Sequence, residues 1–378
     1  MKRLIACFTS MLIAACSSSS ASSFDAADSG GSSTDDGSDG GSATGDGGTS
    51  TGGDGGGGDS GITTASTNVS IIVEPNGNHA SELIDAIKAA KTSVYMTMYQ
   101  LDNTGVITAI KGRETAGLDV KIVLDGSSTN KTSNTPAYNA FNAIKAGTAV
   151  WSSSSFTYTH EKCVILDSTE AWIMTMNLNI SSPDDDREFL AIDDDASDVA
   201  EAQAITLADW AGTAVAPTGN LVVSPTNSRP DLVSLIGTAT KSLDIEVEEL
   251  SDTDKGGIVD AIVAVANKKI PVRVVIANTT LNATGPTANS DITAAGGTVV
   301  MSGGTSTGST STNPYIAGKT ILIDCVTGTC ARGYVGSENM TANSLAYNRE
   351  LGVILADPTE LAKIYTAMSS DYASGTPE

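Results

Sequence analysis

Two stretches of this chain carry residue types that suit chemistry at phosphorus. Each has a lysine, then an aspartate and an asparagine at similar spacing, but only the first has a histidine. The members are His160, Lys162, Asp167 and Asn177 in the first stretch, and Ala317, Lys319, Asp324 and Asn339 in the second. An imidazole can attack phosphorus to give a phosphohistidine that water later opens. The pattern therefore indicates phosphoryl-group chemistry, and the missing second imidazole decides how well it proceeds.

Neighbouring side chains are expected to hold the phosphoryl group. A β-strand alternates its faces, so His160 and Lys162 should lie on the same side. Ammonium groups, amides and hydroxyls can stabilise the charge that develops on phosphoryl oxygens. The predicted phosphate-binding residues are Lys162, Thr175, Asn177, Lys319, Ser337 and Asn339. The scheme needs no metal or cofactor, and no cluster of metal ligands in the sequence suggests one.

The elements that must position these residues occur twice along the chain. Matching strands are predicted at 93–99 and 242–248, at 120–124 and 272–276, and at 148–151 and 298–301. Matching helices are predicted at 82–90 and 231–239, at 105–116 and 257–267, and at 136–146 and 290–295. Alternating strands and helices predict an α/β fold. We expect two homologous α/β/α halves, 67–215 and 216–378, each with a mixed, largely parallel sheet. A pseudo-two-fold axis would relate them, with the active site in between.

The first 66 residues are predicted to direct export rather than to fold. Residues 1–15 combine Lys2 and Arg3 with an apolar run too short to span a bilayer, which indicates a signal peptide. The run ends in Ile-Ala-Ala-Cys, which resembles a bacterial lipobox and implies lipidation of Cys16 in an outer-membrane lipoprotein, periplasmic or surface-exposed. An ordinary secretory signal is the alternative. Residues 16–66 are Gly, Ser, Thr and Asp with almost nothing to bury, which predicts a disordered tether.

The charge of the chain restricts its partners. The net charge is −23, and without Lys2, Arg3 and the eight Asp of the tether there remain 19 basic and 36 acidic side chains. Such a surface disfavours nucleic acid, because binding to it depends on neutralising phosphates with Lys and Arg. Bare anionic lipid is disfavoured too unless cations intervene. The expected partners are a phospholipid or other phosphodiester substrate and, through the lipidated N-terminus, a membrane; no oligomer is required.

The cysteines fit an exported protein. Cys325 and Cys330 flank a turn-forming Val-Thr-Gly-Thr, which predicts a disulfide that closes a hairpin. Two free thiols remain the alternative. Cys163 lies in a predicted strand and is interpreted as a small buried apolar residue.

The two stretches closely resemble the phospholipase D superfamily, whose signature is His-x-Lys-x4-Asp followed by Gly/Ser-x-Asn. Segments 336–339 (Gly-Ser-Glu-Asn) and 348–352 (Asn-Arg-Glu-Leu-Gly) are typical of bacterial members. The resemblance implies that Glu350 orients His160 across the halves, and that Glu188 would have served the lost histidine at 317. The catalytic set that it implies is His160, Lys162, Asp167, Glu188, Lys319, Asp324 and Glu350. Within it, Asp167 and Asp324 are expected to hold the motif strands rather than do chemistry.

The departure at Ala317 leads to several alternatives for function. The resemblance implies hydrolysis of phosphodiesters, favouring glycerophospholipid headgroups, through a phosphohistidine on His160. In the family a second imidazole protonates the leaving oxygen, and such acid–base help is worth about 10²–10⁴ in rate. A phosphate-binding pseudoenzyme, cardiolipin-synthase-like phosphatidyl transfer and, with least support, a nuclease remain open. Met174, in place of the usual Gly, is a milder departure.

Three further features have two interpretations each. Asp184–Asp186 and Asp193–Asp195 predict solvated loops or a calcium patch facing phospholipid. Residues 302–312, rich in Gly, Ser and Thr, predict a surface loop or a lid over the cleft. His79 is interpreted as a surface or cap residue, or as a partial substitute for the lost acid.

Overall fold

A computed structural model of the chain describes residues 65–279, 282 and 288–378. The predicted signal peptide, Cys16 and the tether up to residue 64 lie outside the described residues. The tether boundary at 66 was placed too late, because Ser66 is buried and its backbone N–H donates to the carbonyl of Ile354 at 2.8 Å. That hydrogen bond ties Ser66 to a strand of the second half.

The elements alternate as the repeat predicts. The first half contains β1 Val69–Glu74, α1 Ser81–Ala89, β2 Ser93–Met98, α2 Thr104–Thr115, β3 Asp119–Leu124, α3 Lys131–Asn142, β4 Ala149–Trp151, β5 Lys162–Leu166, β6 Glu170–Met174, α4 Ser182–Asp185, β7 Asp186–Asp193 and α5 Ala196–Ala211. The second contains β8 Val222–Ser224, α6 Ser228–Gly237, β9 Leu243–Val247, α7 Ile258–Asn267, β10 Val272–Ile276, α8 Ala288–Ala295, β11 Thr298–Met301, β12 Tyr315–Ile316, β13 Lys319–Ile323, β14 Arg332–Gly336, α9 Ala342–Ala346, β15 Glu350–Leu355, α10 Pro358–Ser374 and β16 Thr376–Pro377. In the part of the chain described, no helix has the length and apolar character needed to cross a membrane.

Each half is built on one mixed sheet. The strand orders are β1-β7-β6-β5-β2-β3-β4 and β16-β11-β10-β9-β13-β14-β15-β8. Strands β2, β3 and β4 are parallel neighbours, as are β9, β10 and β11, while the motif strands β5 and β13 run antiparallel to β2 and β9. Most strands of each sheet run in one direction, although most hydrogen-bonded pairs are antiparallel. The prediction of an α/β fold with two related halves is confirmed.

Helix α3 differs from its prediction. It begins at Lys131 rather than at 136, and Pro136 lies inside it. Buried Asn134 fixes the first turn by donating its side-chain amide to the carbonyls of Tyr99 and Asp125, at 2.9 and 3.2 Å. These tertiary contacts offset the helix hydrogen bond that is lost because Pro136 has no backbone N–H.

Three hydrophobic cores stabilise the fold, and one of them is shared by the two halves. Alternate residues of β5 divide between two of them: Cys163 and Ile165 join a core shared by both halves, while Val164 and Leu166 pack against the first half's helices. Strand β13 behaves likewise, and its outward residues join the second half's own core. The shared core also takes residues from α5 and α10. Burial of Cys163 is confirmed.

Reciprocal contacts relate the two halves. Residues 315–316 pair in parallel with 186–187 across the halves, and Thr159 forms the matching bridge with Arg349. The N–H of His160 donates to the carbonyl of Arg349 at 2.9 Å, and the N–H of Ala317 donates to that of Arg187 at 3.2 Å. Equal contacts in both directions are what a pseudo-two-fold relation requires, and they place the two motifs at the same junction.

Two smaller predictions have clear outcomes. The disulfide between Cys325 and Cys330 is confirmed, with the sulfurs 2.00 Å apart. The prediction of a solvated loop at 193–195 is wrong for Asp193. This residue is the last of β7, is fully buried and accepts the N–H of Asp195 at 2.9 Å. Asp195 instead caps α5 by accepting the N–H of Ser197.

Candidate active site

A cavity of about 540 Å³ opens where the two motifs meet. It is lined by both halves of the chain. The lining includes Tyr99, Tyr158, His160, Asn177, Asp185, Asp186, Glu248, Glu249, Ser306, Thr307, Ser309, Tyr315, Ala317, Lys319 and Asn339. The loop of residues 302–312 therefore contributes to the cavity wall, which supports its interpretation as a covering loop over that of a plain surface loop.

His160 is held for attack by a carboxylate from the other half. Its Nδ1 lies 2.8 Å from Oε2 of Glu350, so Nε2 is the nitrogen left for a substrate. The other oxygen of Glu350 accepts from Ser344 Oγ at 2.7 Å and Asn348 Nδ2 at 2.9 Å. Burial would raise the pKa of Glu350, but the adjacent imidazole brings it below its usual value. Burial lowers the pKa of His160. Glu350 opposes this effect and Lys162 adds to it, so the imidazole is neutral and nucleophilic at neutral pH.

The two lysines occupy equivalent positions but have different electrostatics. Lys162 begins β5 and Lys319 begins β13, and each Nζ donates to a backbone carbonyl two residues earlier at 2.5 Å. Burial, followed by the nearby charge of Lys319, lowers the pKa of Lys162 to about 7. Burial would also lower the pKa of Lys319, but Glu248 raises it. Beyond burial, the charge of Lys319 lowers the pKa of both Lys162 and His160, so the three groups share one electrostatic environment.

The asparagines and hydroxyls of the motifs differ in access to the cavity. Asn177 and Asn339 line it, and each Oδ1 is buried without a hydrogen-bond partner among the described residues. The predicted phosphate contacts of Thr175 and Ser337 find no support. Thr175 Oγ1 bonds Glu188 and accepts the N–H of Phe189 at 2.9 Å. Ser337 Oγ accepts the N–H of Leu351 at 3.1 Å, because the adjacent strand lies within its reach.

Glu188 lies where a second imidazole would need it. It occupies the position in the first half that Glu350 occupies in the second, and it is fully buried. Burial raises its pKa to about 8, despite the charge of Lys319. Its Oε1 has no hydrogen-bond partner in the part of the chain described, as expected for a carboxyl that has lost its imidazole at Ala317.

Asp167 and Asp324 lie outside the cavity. Asp167 accepts the backbone N–H groups of residues 91–93, and Asp324 accepts those of residues 240–242. Both have positive φ, 55° and 56°. They fasten the ends of the motif strands to the loops before β2 and β9, so their place in the predicted catalytic set is structural.

The departure at Met174 has a packing explanation. Met174 is fully buried in the first half's core. At the equivalent Gly336, a Cβ would meet Tyr334 Oη at 2.2 Å and Gly352 Cα at 2.6 Å. In the second half the ring of Tyr334 lies against Gly336 and Gly352, so only that half requires glycine.

The sequence reasoning missed Glu248 as a site residue. It follows β9, lines the cavity, and lies 2.7 Å from Lys319 Nζ through Oε2. Tyr315 donates its hydroxyl to Oε1 at 2.9 Å. Burial would raise the pKa of Glu248, but Lys319 lowers it to about 2. The sequence did contain a signal. Acidic residues occupy every second position of one strand, at 244, 246 and 248, and Glu248 aligns with Tyr99 in the repeat.

The remaining predicted features differ in their position relative to the cavity. His79 is exposed and pairs with Asp184 at 2.5 Å, outside the cavity lining. Asp185 and Asp186 line the cavity, so they are not the free solvated run that was predicted. Within residues 65–279, 282 and 288–378, no group of three or more His, Cys, Asp or Glu is arranged to hold a metal ion.

Comparison with known proteins agrees with this geometry. Residues 83–210 and 232–372 match the family described as "Cardiolipin synthase, PLD-like domain". Polyphosphate kinase from Porphyromonas gingivalis has a similar structure, with a TM-score of 0.61 and 11% identity over 80% of this chain and 46% of that chain. Phosphatidylserine synthase from Haemophilus influenzae Rd KW20 gives a TM-score of 0.60 and 12% identity over 82% of this chain and 87% of that one. At such identities the likeness concerns the fold.

No curated protein sequence matches the chain significantly. The chain spans less than half of the polyphosphate kinase that it resembles. The family match, by contrast, covers both halves and both motifs. This chain therefore belongs to the phospholipase D superfamily, whose members are phosphodiesterases or phosphotransferases.

Proposed function

We propose that this protein is a phospholipase D-type phosphodiesterase that hydrolyses phosphodiesters, with glycerophospholipid headgroups as the preferred class. The observation that carries the proposal is the contact between His160 Nδ1 and Glu350 across the two halves. It fixes the tautomer and orientation of a largely buried, neutral imidazole at the wall of a cavity that also holds Lys319 and two motif asparagines.

The first step breaks the bond to the alcohol. Nε2 of His160 donates its lone pair to phosphorus, and the P–O bond to the alcohol breaks with its electron pair remaining on that oxygen. The resulting Nδ1-protonated phosphohistidine is stabilised by ionised Glu350, as carboxylates stabilise imidazolium in triads. Ammonium groups of Lys162 and Lys319 face the charge on the phosphoryl oxygens. In the second step water opens the P–N bond and returns neutral imidazole.

The absence of an imidazole at Ala317 makes the first step depend on the leaving group. An alkoxide leaves badly without a proton, whereas a phenolate needs little help. Loss of general acid catalysis costs about 10²–10⁴ in rate. We therefore expect slow release of alkyl alcohols and fast release of phenols.

Lipid substrates are supported by similarity, and the charge argues against nucleic acid. The net charge of −23 opposes binding of nucleic acid. The matched family is described by cardiolipin synthase, and one structural relative is a phosphatidylserine synthase. The lipobox-like segment ending at Cys16 would hold the enzyme at a membrane, and we propose an outer-membrane lipoprotein.

The test uses the purified protein and an aryl phosphodiester. We expect phenol release by the wild type, an adduct on His160 in intact-mass and peptide spectra, and loss of both in His160→Ala. His79→Ala is the matched control, because His79 is the only other histidine and lies outside the cavity lining. Equal phenol release from wild type and His160→Ala would end the proposal.

Ala317 and the ion pair on Lys319 favour a second candidate, a pseudoenzyme that binds phosphate without cleaving it. Saturable binding of a phosphodiester without any adduct on His160 would support that function instead. Phosphatidyl transfer uses the same intermediate and is distinguished by adding glycerol, since transfer yields a new diester whereas hydrolysis yields a monoester.

A further inference from the structure

Glu248 lines the same cavity as Ala317, the position at which the second imidazole is missing. Along the repeat it is the counterpart of Tyr99, the ring of which contacts the ring of His160 with centroids 4.5 Å apart. By the relation between the halves, Glu248 faces position 317 as Tyr99 faces position 160. The carboxylate lies at the cavity wall, and 23% of its side chain is exposed. It is thus open to water and substrate beside the site of the lost residue.

We propose that Glu248 is the general base that activates water to open the phosphohistidine, in place of the absent imidazole. The inference rests on the proposed function and adds to it a residue for the second step. A proton passes from water to a carboxylate oxygen of Glu248 while the water oxygen forms a bond to phosphorus. The P–N bond breaks, and its electron pair returns to Nε2 of His160. Glu248 then releases its proton to solvent.

Binding of the phosphoryl group prepares this carboxylate for the task. In this structure Lys319, at 2.7 Å, keeps Glu248 ionised and weakly basic. Phosphoryl oxygens engage the same ammonium and bring negative charge next to the carboxylate. Both effects favour the protonated form of Glu248, so its basicity rises when the covalent intermediate is present.

Glu188 does not fill this role. Its carboxyl is fully buried under Thr175 and does not line the cavity. Burial raises its pKa to about 8, so it carries a proton at neutral pH and cannot accept one from water. The competing interpretation of Glu248 is a carboxylate that merely blocks Lys319 from phosphate. The two interpretations predict opposite effects of its removal.

The experiment compares Glu248→Gln with wild type on an aryl phosphodiester by rapid quench and intact mass. We expect a burst of phenol near one equivalent, accumulation of the His160 adduct, and steady-state turnover lower by about 10²-fold, within the range for general base catalysis. Glu249→Gln is the matched control, because it makes the same exchange at the next residue of the cavity lining, and it should clear the adduct. Unchanged or faster turnover of Glu248→Gln, without accumulation of the adduct, overturns the proposal. Glu248 would then only block Lys319 from phosphate.

A double-mutant cycle with Ala317→His makes the test specific. If Glu248 substitutes for the imidazole, Glu248→Gln costs about 10²-fold alone and much less when His occupies 317, since the two bases are then redundant. Equal costs in both backgrounds contradict the substitution. Failure of the proposed function has a different signature: no adduct in any variant and no effect of His160→Ala, in which case this inference falls with it.

Discussion

Restoring the second imidazole by Ala317→His should recover acid catalysis. The structure holds the required partner in place: Glu188 is the counterpart of Glu350, is fully buried, and has an Oε1 without a hydrogen-bond partner among the described residues. An imidazole at 317 should engage Glu188 as His160 Nδ1 engages Glu350 at 2.8 Å. The new side chain would then face the leaving oxygen from the other side of the cavity.

The magnitude depends on the leaving group. General acid catalysis is worth about 10²–10⁴, which corresponds to about 3–5 kcal/mol of barrier. For alkyl diesters, including a glycerophospholipid, we expect Ala317→His to raise the rate of alcohol release within that range. For a diester with a nitrophenolate leaving group, the increase in the single-turnover burst should be less than about tenfold, because that group leaves without a proton.

The assay is single-turnover release across a series of alcohols of rising pKa. Wild type should show a steep fall in rate with leaving-group pKa, and Ala317→His a shallow one. Ala317→Asn is the matched control, because it adds a polar side chain that does not titrate near neutral pH. A steep dependence in Ala317→His that equals wild type, in a folded protein, would refute the reasoning from reciprocal geometry.

Three further predictions concern buried charge and the hairpin. Because burial raises the pKa of Glu188 to about 8, the folded protein binds this proton more tightly than the unfolded chain does. The resulting loss of folding stability is absent below about pH 4.5, grows as pH rises and levels off above about pH 8. Glu188→Gln should therefore raise the melting temperature at pH 8.5 and leave it unchanged near pH 4, and a pH-independent shift would contradict this. Because burial and Lys319 lower the pKa of Lys162 to about 7, phosphate binding measured by calorimetry should weaken as pH rises through 7; Lys319→Met should move that midpoint upward, and an unmoved midpoint would exclude the charge coupling. Replacing Cys325 and Cys330 by Ser should cost about 2 kcal/mol of unfolding free energy in urea, from the chain-entropy estimate for so short a loop, with unchanged phenol release.

Some of the site was accessible from sequence because it is encoded locally. The spacing of His160 and Lys162 brings both to the start of β5, with Lys162 as its first residue and His160 two residues before it. The duplicated element order predicted two α/β halves. The partnership of Glu350 with His160 followed from a family resemblance, not from spacing. The disulfide followed from two cysteines that flank a tight turn.

Other features depended on where distant strands came to lie. Thr175 and Ser337 could bind phosphate by type, yet the register of β7 and β15 gives their hydroxyls to neighbouring backbone or side-chain groups. Asp193 belongs to a polar run but is buried at the end of β7. In each case the position of a neighbouring strand determined the environment, and local composition does not encode that position.

The sequence by itself determined which reactive groups the two motifs contain: one imidazole, two lysines and, in the second motif, Ala317. Only the tertiary structure decided which charges meet. It joins Glu350 to His160 across 190 residues and Glu248 to Lys319 across 71. The physical reason is that the pKa and reactivity of a buried group depend on its desolvation and on charges within a few ångströms. Those distances exist only once the two sheets have packed against each other.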